Sequence, residues 1–158
     1  MIRLTKVADY GIVLLSYIAH ELPGEKFNAR GLAEDTRIPA PMVSKILKGL
    51  ARNNLLQSHR GVKGGYSLAR AAEEITVADV IRALDGPIAL TECMTMSDSD
   101  CSLDLNCPVK TNWQRINEAV IGSLEEIKIS EMCPPSLSEP LSMSIELPAE
   151  GAKSALAG

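Results

Sequence analysis

The stretch "RIPAP", residues 37–41, rules out a single long helix in the middle of the N-terminal half. Pro39 and Pro41 each lack an amide donor, and each steers the residue before it away from helical geometry. Helical periodicity nevertheless runs on both sides. Asn28 is placed to cap a short helix with Leu32 and Ala33 turned inward. From Pro41 to Arg52, the residues Val43, Ile46, Leu47 and Leu50 fall at i, i+3, i+4 and i+7, one buried stripe. Two short helices joined by a tight turn satisfy both facts. "LLQSH" and "YSLAR" then read as strands of a hairpin, with Gly61, Gly64 and Gly65 supplying the turn.

Helices are also predicted before and after this unit. "TKVADYGIVLLSYIAHEL" carries Val7, Tyr10, Leu14 and Tyr17 at helical spacing, with Val13, Leu15 and Ile18 thickening the apolar face. Thr5 is its N-cap, and Pro23 and Gly24 end it. "ITVADVIRALDG" gives the stripe Val77, Val80, Ile81 and Leu84, capped by Thr76 and stopped by Gly86. A longer helix is predicted from Pro108 to about Ile127. Its Trp113, Ile116, Val120, Leu124 and Ile127 are spaced like a heptad seam. Aromatic residues are only 3% of the chain, so the shared core must be aliphatic.

The expected fold is mainly α: a winged helix-turn-helix with a small two-stranded β wing and a long dimerisation helix. Charge fits a nucleic-acid partner. Residues 1–70 hold eleven Lys or Arg and five Asp or Glu, a balance of +6; residues 71–158 hold five and fifteen, a balance of −10. The basic half is the part that meets a polyanion. With its stripe buried, helix 41–52 offers Ser44, Lys45, Lys48 and Arg52 on free faces, and Arg60 and Lys63 stand at the hairpin tip. These six are the predicted DNA-binding residues of a reader of double-stranded DNA. Paired modules of this kind place two reading helices in successive major grooves, about 34–36 Å apart. The apolar seam of helix 108–127 is expected to make that homodimer, the alternative being that it packs on its own domain.

The segment "ECMTMSDSDCSLDLNCPVK", residues 92–110, gathers Cys93, Cys101 and Cys107 among polar residues. No apolar run approaches a membrane span and no secretion signal opens the chain, so a soluble, cytoplasmic protein with reduced thiols is expected. Clustered thiols then point to metal or redox chemistry rather than a disulfide. The spacing C-x7-C-x5-C is wider than the C-x2–4-C knuckle of structural zinc. An iron–sulfur cluster, zinc, a redox thiol pair and unrelated free thiols all remain open on these residues alone. Nothing in the chain resembles a catalytic constellation, so no enzyme is expected.

"RLTKVADYGIVLL", "LAEDTRIPAPMVSKILKGLARNNLL", "HRGVKGGYSLAR", "ITVADVIRALDG" and the three-cysteine segment together resemble the winged-helix iron–sulfur regulator family. That family includes the regulators of the Isc and Suf cluster-assembly operons and the nitric-oxide-sensing repressor. The resemblance spans about residues 1–130, and the cysteine segment is most similar to the Suf-type branch. It implies a homodimeric regulator whose three cysteines hold a [2Fe–2S] or [4Fe–4S] cluster that controls operator affinity, with Suf genes as targets. The alternatives are a nitric-oxide- or redox-sensing repressor of the same fold and a zinc-stabilised DNA binder without sensing. In the Isc-type branch a histidine three residues past the third cysteine completes the ligand set; Lys110 stands there here. In the nitric-oxide-sensing branch an aspartate in the partner's first helix does so, and Asp9 matches it, with Glu92 a weaker candidate. The implied organisation is a DNA-binding domain over 1–86, a cluster loop over 87–107, a dimerisation region over 108–132 and a disordered tail over 133–158. His59, at the wing base, is read as a phosphate contact or plain surface site. His20 is read as favouring its helix dipole, Cys133 as a spectator, and Met94 and Met96 as gap-fillers.

Overall fold

The computed structural model describes residues 4–20, 25–61, 64–91, 94 and 107–132. Lys63, Glu92, Cys93, Met96, Cys101, Cys133 and the tail 134–158 therefore lie outside the described residues. The chain runs α1 (Lys6–His20), α2 (Ala29–Thr36), α3 (Ala40–Arg52), β1 (Leu56–His59), β2 (Gly65–Leu68), α4 (Val77–Asp85) and α5 (Lys110–Glu126). Single 3₁₀ turns occupy Ala72–Glu74 and Ile129–Met132. This is the mainly α winged helix-turn-helix that the sequence predicts.

The starts of α1, α2 and α4 are set by the expected caps, while Pro23 and Gly24, the expected stop of α1, lie outside the described residues. Thr5 Oγ1 accepts the Ala8 amide at 3.2 Å and also donates to the Asp85 carboxylate at 2.7 Å, tying the start of α1 to the end of α4. Asn28 Oδ1 accepts the Gly31 amide at 2.8 Å. Thr76 and Asp79 close a capping box at the head of α4. Pro39 precedes α3 and Pro41 sits in its first turn, where a missing amide costs nothing.

The stripe Val43, Ile46, Leu47 and Leu50 of α3 is fully buried, against Leu14, Leu15 and Ile18 of α1 and Val80 and Ile81 of α4 in one aliphatic core. Two helix glycines make room for that contact. A Cβ on Gly11 would lie 2.2 Å from Leu84 Cδ1, and one on Gly49 would lie 2.9 Å from Leu84 Cδ2. Leu84 thus wedges α4 into both α1 and α3. Asn53 adds a polar tie, its Nδ2 donating to the Gly49 and Ala83 carbonyls at 3.0 Å.

Three expectations need correction. Val13 does not join the apolar face of α1; it is 44% exposed, and Ala8, Gly11 and Ile12 are buried instead. The long helix begins at Lys110, because Pro108 and Val109 form a turn ahead of it. Its seam also splits: Leu124 packs on the core, whereas Trp113 is 39% and Ile116 46% exposed. The wing, in turn, has an extra partner. Phe27 forms an antiparallel bridge to Tyr66, with amide–carbonyl bonds of 2.8 Å in both directions, beside the β1–β2 pairing.

After α5 the chain returns to the N-terminal core. The Val77 amide donates to the Ile127 carbonyl at 3.0 Å, and the Ile129 amide to the Ile75 carbonyl at 2.9 Å. Ile129 is completely buried in the same core as Leu15. Arg82 and Glu125 add an ion pair at 2.6 Å between α4 and α5.

Candidate nucleic-acid interface and cysteine site

Burying one stripe of α3 fixes what the helix can offer to a partner. Pro41, Ser44, Lys45, Lys48 and Arg52 recur at spacings of three, one, three and four, so they share the side away from the core. Lys45, Lys48 and Arg52 are exposed and Ser44 is half-buried. A helix presented this way fits a major groove. Ion pairing separates these cations from others: Arg30, Arg70 and Arg82 are paired with Glu34, Asp79 and Glu125. Among the described residues no carboxylate pairs with Lys45, Lys48, Arg52 or Arg60, so their charge faces outward uncompensated.

The wing is built for a close approach at its turn. Gly61 takes φ of +103°, and the Gly64 amide donates to its carbonyl at 2.9 Å. A Cβ on Gly64 would sit 2.5 Å from the His59 carbonyl, so this turn excludes any side chain there. Arg60 is exposed beside it. His59 departs from its sequence reading: its ring is half-buried and Nε2 lies 2.8 Å from Ser67 Oγ, bracing one strand against the other.

Arg37 was missed by the sequence reading. It ends α2 with φ of +58°, in the left-handed region that non-glycine residues seldom occupy, and it is exposed in the turn leading to α3. The only available signal was a basic residue abutting the proline break.

The cysteine site is described in part. Cys107 is a half-buried free thiol three residues before α5, and its carbonyl accepts the Lys110 amide at 3.3 Å. The entering limb, Ile88–Leu90, is tied to α5 by Asn117. Asp9 stands exposed in the first turn of α1. Among the described residues no three His, Cys, Asp or Glu side chains converge on a common point, Cys93 and Cys101 lying outside them. The donor chemistry fits a soft metal: three thiols in one short segment, one of them half-buried, with carboxylates as the alternative fourth donor. Among the described residues no helix is long and apolar enough to cross a membrane.

Comparisons with known proteins agree with this geometry. An HTH-type transcriptional regulator of Mycobacterium tuberculosis is 30% identical over 137 residues, covering 87% of this chain and 84% of that protein. The HTH-type regulator NsrR of Bacillus subtilis is 28% identical, covering 77% of this chain and 82% of its own. Among solved structures, CymR, the global cysteine regulator of B. subtilis, superposes with a TM-score of 0.66 at 23% identity, over 84% of this chain and 97% of that one. IscR of T. potens superposes with a TM-score of 0.61 at 23% identity, over 83% and 85%. The profile of a family of iron-dependent transcriptional regulators matches residues 4–135, so the chain belongs to the Rrf2 family.

Proposed function

We propose that this transcriptional regulator is a cytoplasmic, homodimeric repressor whose grip on DNA is set by an iron–sulfur cluster, and that its targets are Suf cluster-assembly genes. Residues 1–86 read the operator, 87–107 hold the cofactor and 108–132 pair the protomers. Cys93, Cys101 and Cys107 are the thiolate ligands, and Asp9 of the other protomer supplies the fourth donor. Lys110 cannot do so, since an ammonium has no free lone pair at neutral pH. Bound, the cluster supplies a redox- and ligand-sensitive centre, [2Fe–2S] or [4Fe–4S].

One observation carries the reading. The half-buried Cys107 thiol stands at the head of a helix that is itself locked to the DNA-reading core, by Arg82–Glu125 and by the backbone bonds at residues 75–77 and 127–129. Whatever Cys107 holds is therefore mechanically connected to both heads of a dimer. The uncovered Trp113 and Ile116 on that helix supply the apolar surface for pairing. Ser44, Lys45, Lys48, Arg52, Arg60, Lys63 and the additional Arg37 contact the duplex, the lysines and arginines chiefly at phosphates. A coupling of about 1–3 kcal/mol between cluster and operator changes affinity 5- to 150-fold.

Mobility shift with anaerobically reconstituted and cluster-free protein, on the promoter of the Suf operon, tests this directly. Unequal affinities with an iron count matching a cluster are expected. Equal affinities of brown and colourless protein would remove the switch, and zinc in place of iron would leave a DNA binder without sensing. A second reading, a nitric-oxide- or redox-sensing repressor of the same fold, is favoured by the exposed Asp9 carboxylate, which has no hydrogen bond or ion pair among the described residues. An oxygen donor is harder and more labile than a thiolate, which suits a cluster meant to be attacked. Nitric oxide abolishing operator binding while iron depletion leaves it intact selects that reading.

A further inference from the structure

The one buried residue of α5 is polar. Asn117 is 8% exposed, on a helix whose other residues are half-buried or exposed. Its Oδ1 accepts the Leu90 amide at 3.1 Å, and its Nδ2 donates to the Ile88 carbonyl at 3.3 Å. A single carboxamide thus pairs with two backbone groups of segment 88–90, as a neighbouring strand would. A buried amide is costly unless both of its ends are satisfied, and here both are. Packing alone calls for an aliphatic side chain at this position; the carboxamide adds a fixed register.

That register bears on the cysteines. Leu90 stands three residues before Cys93, and Cys107 three residues before the start of α5. The leaving limb of the cysteine segment is referenced to α5 by chain continuity, and the entering limb by Asn117. Because backbone bonds from Val77 to Ile127 and from Ile129 to Ile75 fasten the end of α5 to the core, the tie runs to a fixed element. We infer that Asn117 is a positioning residue for the cofactor. It fixes residues 88–90, the stretch leading toward Cys93, before any metal arrives, so that less ordering remains to be done when the three thiolates take up a cluster. The inference rests on the proposed ligand set of Cys93, Cys101 and Cys107.

The test uses the full chain and three variants. Asn117→Leu removes both hydrogen bonds at similar volume. Asn117→Asp keeps the acceptor for the Leu90 amide but cannot donate to Ile88. Arg82→Met removes the exposed ion pair between α4 and α5 and touches neither limb. After anaerobic reconstitution, cluster loss to a chelator is followed by visible absorbance; Leu90 amide exchange is measured in cluster-free protein, and far-UV circular dichroism reports folding. Asn117→Leu is expected to lose the cluster about tenfold faster, the equivalent of one or two hydrogen bonds, and to exchange the Leu90 amide faster. Asn117→Asp is expected to fall between it and the wild type, and Arg82→Met to stay within about twofold of the wild type, since its exposed pair contributes little. If Asn117→Leu does not fold, Asn117→Asp carries the comparison. Wild-type cluster lifetimes in the folded Asn117 variants overturn the inference and leave the cluster reading standing. Equal acceleration in Arg82→Met also overturns it, because general loosening then accounts for the loss. Wild-type protein that takes up no cluster overturns both.

Discussion

Ile129→Ala asks whether α5 is part of the DNA-reading body or an appendage to it. The Ile129 side chain is completely buried, on the turn that brings the chain back from α5 to the core. The substitution removes three carbons, about 2.4 kcal/mol of transfer free energy. The cavity left among α1 and residues 75–77 adds to that, and about 3 kcal/mol is expected in total. With an m-value of about 2 kcal/mol/M, the urea midpoint falls by about 1.5 M. The assay has two independent probes, because the only tryptophan, Trp113, lies on α5. Its fluorescence follows α5, and far-UV circular dichroism follows all five helices. At one fixed protein concentration both transitions are expected to move together and by the same amount. Glu131→Ala is the local control: its carboxylate only meets the Lys128 amide at 3.4 Å on the surface, so a change within about 0.5 kcal/mol is expected. A fluorescence transition that separates from the dichroism, with a shift under about 1 kcal/mol, would refute the idea that Ile129 joins the two.

Gly11→Ala places a Cβ 2.2 Å from Leu84 Cδ1 and 3.3 Å from Val80 Cγ1. A net loss of about 1–2 kcal/mol is expected despite the better helix propensity, with partial recovery in the Gly11→Ala/Leu84→Ala double variant by thermal melting. Lys48→Met is expected to weaken operator binding and to flatten the plot of log affinity against log salt by about 0.9 for each phosphate left without its cation. Arg30→Met, which removes a cation already paired with Glu34, should leave that slope unchanged. Ile116→Asp puts a charge on the uncovered face of α5, and sedimentation should then show a monomer at micromolar concentration, against the dimer proposed for the wild type.

Much of the architecture was legible because local rules and tertiary packing agree. The stripe of α3 reads from spacing alone, and Thr5, Asn28 and Thr76 read from capping chemistry. Pro39 and Pro41 mark the turn because no long helix tolerates both. Failures fall where a tertiary partner decides. Val13 has the hydropathy of a core residue, but the face of α1 is set by where Leu84 enters, and that depends on two glycines in different helices. Phe27 reads as loop because a single-residue bridge leaves no period. Trp113 and Leu124 share a heptad pattern, yet one is exposed and the other packs on the core, so the pattern does not mark one buried face. His59 and Ser67 are eight residues apart, and only the strand register brings them together. In the candidate site, residue types identified the thiols, and the solvent side of α3 follows from the stripe. Asn117 and Arg37 gave no comparable signal: an asparagine inside a helix and an arginine beside a turn are both ordinary in sequence.

Asn53 sits at the end of α3, with one amide hydrogen on its own helix and the other on the last turn of α4. With Leu84 wedged against Gly49 one turn earlier, α3 is pinned to α4 at two points one turn apart. Swivelling that helix within its head would break both contacts. In the dimer proposed above, each head then acts as one block, and the cluster would alter operator affinity through the distance and angle between the two. Crystal forms of that proposed dimer with and without its cluster should superpose closely within one head and differ across the two-fold axis.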